Sequence, residues 1–108
     1  MKEVAERVQA NMTGMDLDPS GNCFLVARAL QILAAGGELV ECHLQGDHHV
    51  IYQDVDGLFW DLTAHGIVGG ELQLGVAELP EEYTDLTGYE WPEDYSGEFA
   101  DDLLALTR

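Results

Sequence analysis

Between Cys23 and Ala35 the chain reads CFLVARALQILAA, with Arg28 and Gln31 as its only polar positions. Wound as a helix, this stretch is apolar around nearly its whole circumference, and such a helix is stable only when covered on most sides. It is too short to cross a bilayer. At 108 residues there is room for one domain and one core, so the segment is the centre of the molecule. Ser20 or Asn22 is placed to cap its start, and Gly36-Gly37 ends it. Cys23 therefore sits in the first turn of a buried helix.

The remaining pattern supplies the cover. Lys2 to Met12 reads as a helix, with Val4, Val8 and Met12 four apart on one face and Thr13-Gly14 as the stop. MDLDPSGN is a loop, broken by Pro19 and Gly21. In Glu38 to Leu44, alternation puts Val40, Cys42 and Leu44 on one face of a strand, and Leu39, Glu41 and His43 on the other. GDH reads as a turn, and HHVIYQD and LFWDLT flank Val55-Asp56-Gly57 as a hairpin. A further strand is predicted over Glu71 to Ala77, where Leu72, Leu74 and Val76 alternate. From Glu78 onward ten acids face one base, with Tyr83, Tyr89, Trp91, Tyr95 and Phe99 among them; these aromatics predict that the tail packs on the body. Glu98 to Leu106 reads as a last helix with Phe99, Leu103 and Leu106 inward. The expected fold is α+β, a central Cys-bearing helix on a three- to four-stranded antiparallel sheet. One domain covers residues 1–108, with a core over 21–79 and the acidic aromatic tail 80–108 packed on it.

The hairpin register decides which side chains meet. A type I turn with Gly57 left-handed gives a three-residue loop and pairs Asp54 with Leu58. Counting outward, Ile51 pairs with Asp61 and His49 with Thr63. One face becomes Val50, Tyr52, Leu58, Trp60 and Leu62; the other carries His49, Ile51, Gln53, Phe59 and Asp61. A one-residue slip would scramble both. His49 and Asp61 are then diagonal neighbours, roughly 5.5–8 Å apart at Cβ, close enough for the carboxylate to orient the ring and stabilise its charged form. His48 points the other way.

A thiol in the first turn of a helix feels the positive end of the peptide dipoles, which favours thiolate. With His49 beside it and Asp61 behind, Cys23 is the nucleophile, His49 the base and Asp61 the orienting acid. The Cys23 backbone N–H is placed to donate to an oxyanion. Asn22 beside the nucleophile, Gln53 on the His49 face and Trp91 in the tail are the candidate binding residues.

GNCFLVARALQIL resembles the cysteine helix of papain-like, transglutaminase-like cysteine enzymes, in which a small residue or Asn precedes the Cys. HHVIYQDVDGLFWDLTA resembles their His-strand, turn and Asp-strand unit, with Trp60-Asp61-Leu62-Thr63 as a shortened form of the Trp-to-Asp motif. The segment is also similar to papain-fold toxin domains and to small phage or bacterial proteins with a Cys helix followed by a DLTA box. The resemblance covers Gly21 to about His65. It implies a cysteine-dependent acyl-transfer enzyme acting on an amide or thioester of a protein or peptide, by hydrolysis, deamidation or transfer, without a cofactor. The Gln that papain-like peptidases place before the Cys is missing; Asp16, Leu17 and Asp18 stand there, with Asn22 or Gln9 as substitutes.

Bland readings stand beside these. Cys23 by itself is a small apolar side chain on a core helix, His49 a satisfied polar residue, Asp61 a turn cap, and Cys42 a core residue. Cys42, His43, His48, His49 and His65 raise the question of zinc, but alternation sends Cys42 and His43, and likewise His48 and His49, to opposite faces. No metal is expected. The formal charge of −17 argues against nucleic-acid and anionic-membrane partners and suits a basic one, so the rival class is a non-enzymatic acidic inhibitor, phage-borne, that occupies a basic host protein. The opening MKEVAERV lacks the order of a secretory signal, which makes the cytoplasm the expected compartment.

Overall fold

The computed structural model describes residues 1–18, 21–63 and 73–108. Ser20, His65, Glu71 and Leu72, to which the sequence reading assigned roles, lie outside the described residues. The architecture is α+β. Helices α1 (Lys2–Gly14) and α2 (Cys23–Ala34) are followed by strands β1 (Glu38–Leu44), β2 (Asp47–Gln53), β3 (Phe59–Asp61), β4 (Gln73–Val76) and β5 (Tyr83–Tyr89). Helices α3 (Glu93–Glu98) and α4 (Ala100–Leu106) close the chain. The sheet has five antiparallel strands in the order β4-β3-β2-β1-β5, not the three to four expected.

The extra strand is β5, which pairs along the free edge of β1. Most of its side chains are exposed, so it carries no two-sided apolar signal, and backbone pairing holds it in place. A bulge between Glu41 and His43 accommodates it, with Asp85 at a left-handed φ of 56°. Residues 80–108 thus contribute a strand to the sheet as well as the two last helices.

Local chemistry explains the boundaries. Helix α1 ends at Gly14, within the expected Thr13-Gly14 stop, and buries Ala5, Val8 and Met12. Helix α2 ends at Ala34, where Ala35 takes the left-handed cap (φ 54°). The β1–β2 turn falls on Gln45-Gly46, both at positive φ, with Leu44 opposite Asp47. This is the two-residue loop whose twist matches the flanking strands, one residue earlier than GDH. At the next hairpin the expected register forms. Asp54 donates its N–H to the Leu58 carbonyl (2.9 Å), Tyr52 stands opposite Trp60 and Gln53 opposite Phe59, and Gly57 is left-handed (φ 85°). Asp54 ties the turn together, accepting from the Asp56 and Leu58 N–H groups and from the Trp60 indole.

The two sheet faces bury different sets. Leu39, Val50, Tyr52, Trp60 and Leu62 pack with α1, α2 and α4 in the main core. Val40, Cys42, Leu44, Ile51 and Tyr83 form a second cluster on the opposite face. Three strand spacings separate β3 from β5, about 14 Å in a flat sheet, yet the Tyr83 hydroxyl lies 2.7 Å from the Asp61 carboxylate. The sheet is therefore rolled, with the second cluster on its concave side.

Candidate functional site

His49 on β2 and Asp61 on β3 project onto this concave face. The His49 Nε2 lies 2.8 Å from Asp61 Oδ2, with the two side chains 6% and 1% exposed. Asp61 is saturated with partners. Its Oδ2 also accepts from the Tyr83 hydroxyl (2.7 Å), and its Oδ1 accepts from the backbone N–H and hydroxyl of Thr63 (both 3.0 Å). A carboxylate so bonded keeps its charge and orientation although buried.

Cys23 completes the group. It is the first residue of α2, and its thiol is near enough to the His49 ring to favour the charged imidazole. Nε2 serves Asp61, so Nδ1 is the ring nitrogen available to a second partner. Helix α2 packs on the convex face, so its first residue must reach the ring at an opening in the sheet. The β2–β3 ladder provides it. Its pairs are Tyr52 with Trp60 and Gln53 with Phe59, and the expected pairing of Ile51 with Asp61 and of His49 with Thr63 does not continue as a ladder. Beyond Tyr52 and Trp60 lies a packing gap too small to admit water, lined by Cys23, Ala27, Ile51, Asp61, Leu62 and Thr63, among others. The first residue of α2 and the Asp61 carboxylate thus share the split between two strands.

The electrostatics follow. Burial opposes the charged imidazole, but the Asp61 carboxylate and the Cys23 thiol outweigh it and raise the His49 pKa to about 9. Burial likewise opposes the Asp61 charge, and the His49, Tyr83 and Thr63 bonds overcome it and hold that carboxyl below its ordinary value. The ring is therefore cationic and its partner anionic at neutral pH. Cys42, opposite His49 in the β1–β2 register, is 2% exposed and burial pushes its thiol up to about 12. The two thiols differ in kind: Cys42 is an inert core side chain, whereas Cys23 is half-buried beside the imidazole.

The candidate binding residues are dispersed. Asn22 occupies the cap position of α2 without capping it and donates instead to the Asp18 carbonyl (2.7 Å). Gln53 donates to the Gly57 carbonyl (3.1 Å) and serves the hairpin turn. Trp91 stacks on Phe24 (centroids 6.0 Å apart) and joins Tyr95 and Phe99 in an aromatic cluster, next in sequence to Cys23 but outside the gap. His48 pairs with Glu41 and His43 with Asp85, both at the surface. Among the described residues no group of three or more His, Cys, Asp or Glu side chains is placed to hold a metal ion, and no helix is long and apolar enough to cross a membrane.

Tyr83 is the member of the site that the sequence pattern does not announce. It lies twenty-two positions beyond Asp61, in a strand with little apolar alternation, and only the roll of the sheet brings it home. Comparison of the chain with protein-family models, with curated proteins and with solved structures returns no match.

Proposed function

We propose that this chain is a cysteine-dependent acyl-transfer enzyme with a papain-like, transglutaminase-like core, acting on an amide or thioester of a protein or peptide. The observation that carries the reading is the buried His49–Asp61 pair with the helix-terminal Cys23 near enough to favour the charged ring. An imidazole near the sulfur is placed to act as its proton partner in nucleophilic attack.

In this mechanism the Cys23 sulfur attacks the carbonyl carbon, forming an S–C bond and an oxyanion. The N–H groups at the start of α2, which Asn22 does not cap, face developing negative charge there. Collapse expels the leaving group, which takes the proton from His49. The neutral ring then removes a proton from water, or from an acceptor amine, as its oxygen or nitrogen attacks the thioester. The S–C bond breaks and Cys23 returns to thiolate. Asp61 keeps the ring oriented throughout.

The test is iodoacetamide labelling followed by mass mapping, together with incubation with an activated ester. Modification concentrated on Cys23, strongly slowed by His49→Ala, and a Cys23-linked acyl adduct are expected. Equal labelling of Cys23 and Cys42, or no adduct in the wild type, would overturn the reading.

The charge of −17 supports a second reading, an acidic inhibitor that occupies a basic partner. Complexes that persist in Cys23→Ala and dissolve in moderate salt are its signature; salt-resistant complexes, or none, count against it.

A further inference from the structure

A cavity lies along α2, apart from the gap beside Cys23. It measures ≈ 580 Å3 and lies between Arg28 and Gln31 of α2, the start of β1, and Tyr89, Glu90 and Trp91. That volume is within the range of about 300–1,000 Å3 typical of small-molecule sites. Arg28 is one of only four Lys or Arg residues in the chain. Among the described residues it forms no ion pair: one guanidinium nitrogen donates to Gln31 Oε1 (2.6 Å) and the group lies over the Trp91 ring (5.6 Å to its centroid). Two buried donors at this place, Arg28 Nε and Trp91 Nε1, have no acceptor among the described residues. Such orphans are rare in folded proteins, because each loses its hydration without a replacement bond. A cation without an anion in a chain of charge −17, flanked by two unsatisfied N–H groups, is a mould for an acceptor the chain does not supply.

We propose that this cavity binds a carboxylate, the group whose planar oxygen pair matches the fork of an arginine. One ligand oxygen takes the guanidinium edge that Gln31 leaves open, and the other takes the indole N–H. Because both orphan nitrogens lie beneath the cavity wall, entry of the ligand turns the Trp91 ring. Glu38 and Glu90, exposed on the rim, disfavour a second negative charge, so a monocarboxylate binds in preference to phosphate. The carboxylate is that of a small acid or of a peptide C-terminus. The site is independent of the cysteine chemistry, and its test involves no turnover.

The experiment is a titration of the full chain, 15N-labelled at tryptophan, with acetate, with N-acetyl-trialanine, with the amide of that peptide and with inorganic phosphate. Trp60 serves as the internal reference, because its indole is bonded to Asp54 (2.8 Å). Saturable movement of the Trp91 indole signal with a carboxylate probe is expected, with a steady Trp60 signal and no response to the amide or to phosphate. Equal affinity for acetate and the peptide assigns the site to small acids; tenfold tighter binding of the peptide assigns it to a chain terminus. Arg28→Gln should weaken binding at least tenfold, and Arg28→Lys should recover only part of it. An unmoved Trp91 signal in the wild type, an equal response to amide and acid, or a stronger response to phosphate would overturn the proposal.

Discussion

His49 and Asp61 stand 2.8 Å apart, Nε2 to Oδ2, across strands whose backbone ladder has already ended at the Tyr52–Trp60 pair. The side-chain bond therefore holds β2 and β3 together where the backbone does not. Asp61→Asn keeps the shape and removes the charge that makes the ring basic. The imidazole then retains only its burial, which acts against protonation, and the Cys23 contact. The His49 pKa should fall from about 9 to near or below its ordinary value of about 6.5. Histidine-resolved NMR titration reads this directly; a ring that still titrates near 9 in the variant would detach Asp61 from its assigned role.

The same pair makes stability depend on pH, in opposite senses for its two members. The folded-state pKa of His49 is raised, from 6.5 to about 9, so its contribution is complete below 6.5 and is lost as pH rises through 9. Asp61 is lowered from 3.8, so its contribution is present above 3.8 and is lost on further acidification. The pair stabilises most between these limits. Relative to His49→Gln, the wild type should lose on the order of 3 kcal/mol between pH 6 and 10. Urea denaturation across that range measures it, and parallel profiles for the two proteins would contradict the coupling.

Tyr83 acts through Asp61. Its hydroxyl donates to the oxygen that also receives His49, and this bond helps keep the carboxyl ionised. Tyr83→Phe should cost about 1–3 kcal/mol, the penalty for leaving a buried acceptor short of a donor. With the bond gone the Asp61 pKa rises, so acid unfolding should begin at a higher pH than in the wild type. Acid titration by circular dichroism tests this; a loss of stability with no displacement of the acid midpoint would reduce Tyr83 to packing.

What was legible in the chain was set by short-range chemistry. Gly57 in the left-handed position fixes a three-residue loop, the loop fixes the register, and the register places His49 and Asp61 on one face; all of that lies within fifteen residues. The first turn of a largely apolar helix placed Cys23 equally well. Strand β5 was not legible, because Thr84, Asp85, Leu86, Thr87 and Gly88 are exposed and their polar, glycine-bearing run reads as a loop. The roll of the sheet was also hidden, since it arises from side chains far apart in sequence, Tyr83 and Asp61 above all. The end of the β2–β3 ladder, which admits Cys23, left no mark either: pattern alone continues the pairing to Thr63.

The hinge between α2 and the sheet is a further point of constraint. Gly37 sits at φ 84°, and a Cβ there would press on the Tyr52 hydroxyl and come within 2.6 Å of the Gln53 carbonyl oxygen. Tyr52 is fully buried and donates to the Gly36 carbonyl (2.6 Å), so it has no room to retreat. Gly46 has the same φ of 84° with nothing within 4 Å of its Cβ position. Gly46→Ala should therefore cost only the left-handed backbone term, about 1–2 kcal/mol. Gly37→Ala adds displacement of a packed tyrosine and should cost at least about 3 kcal/mol. Denaturation midpoints of the two variants, compared at equal m-values, separate backbone strain from steric conflict. Equal losses would mean that Tyr52 yields, and that the joint between helix and sheet is looser than its packing implies.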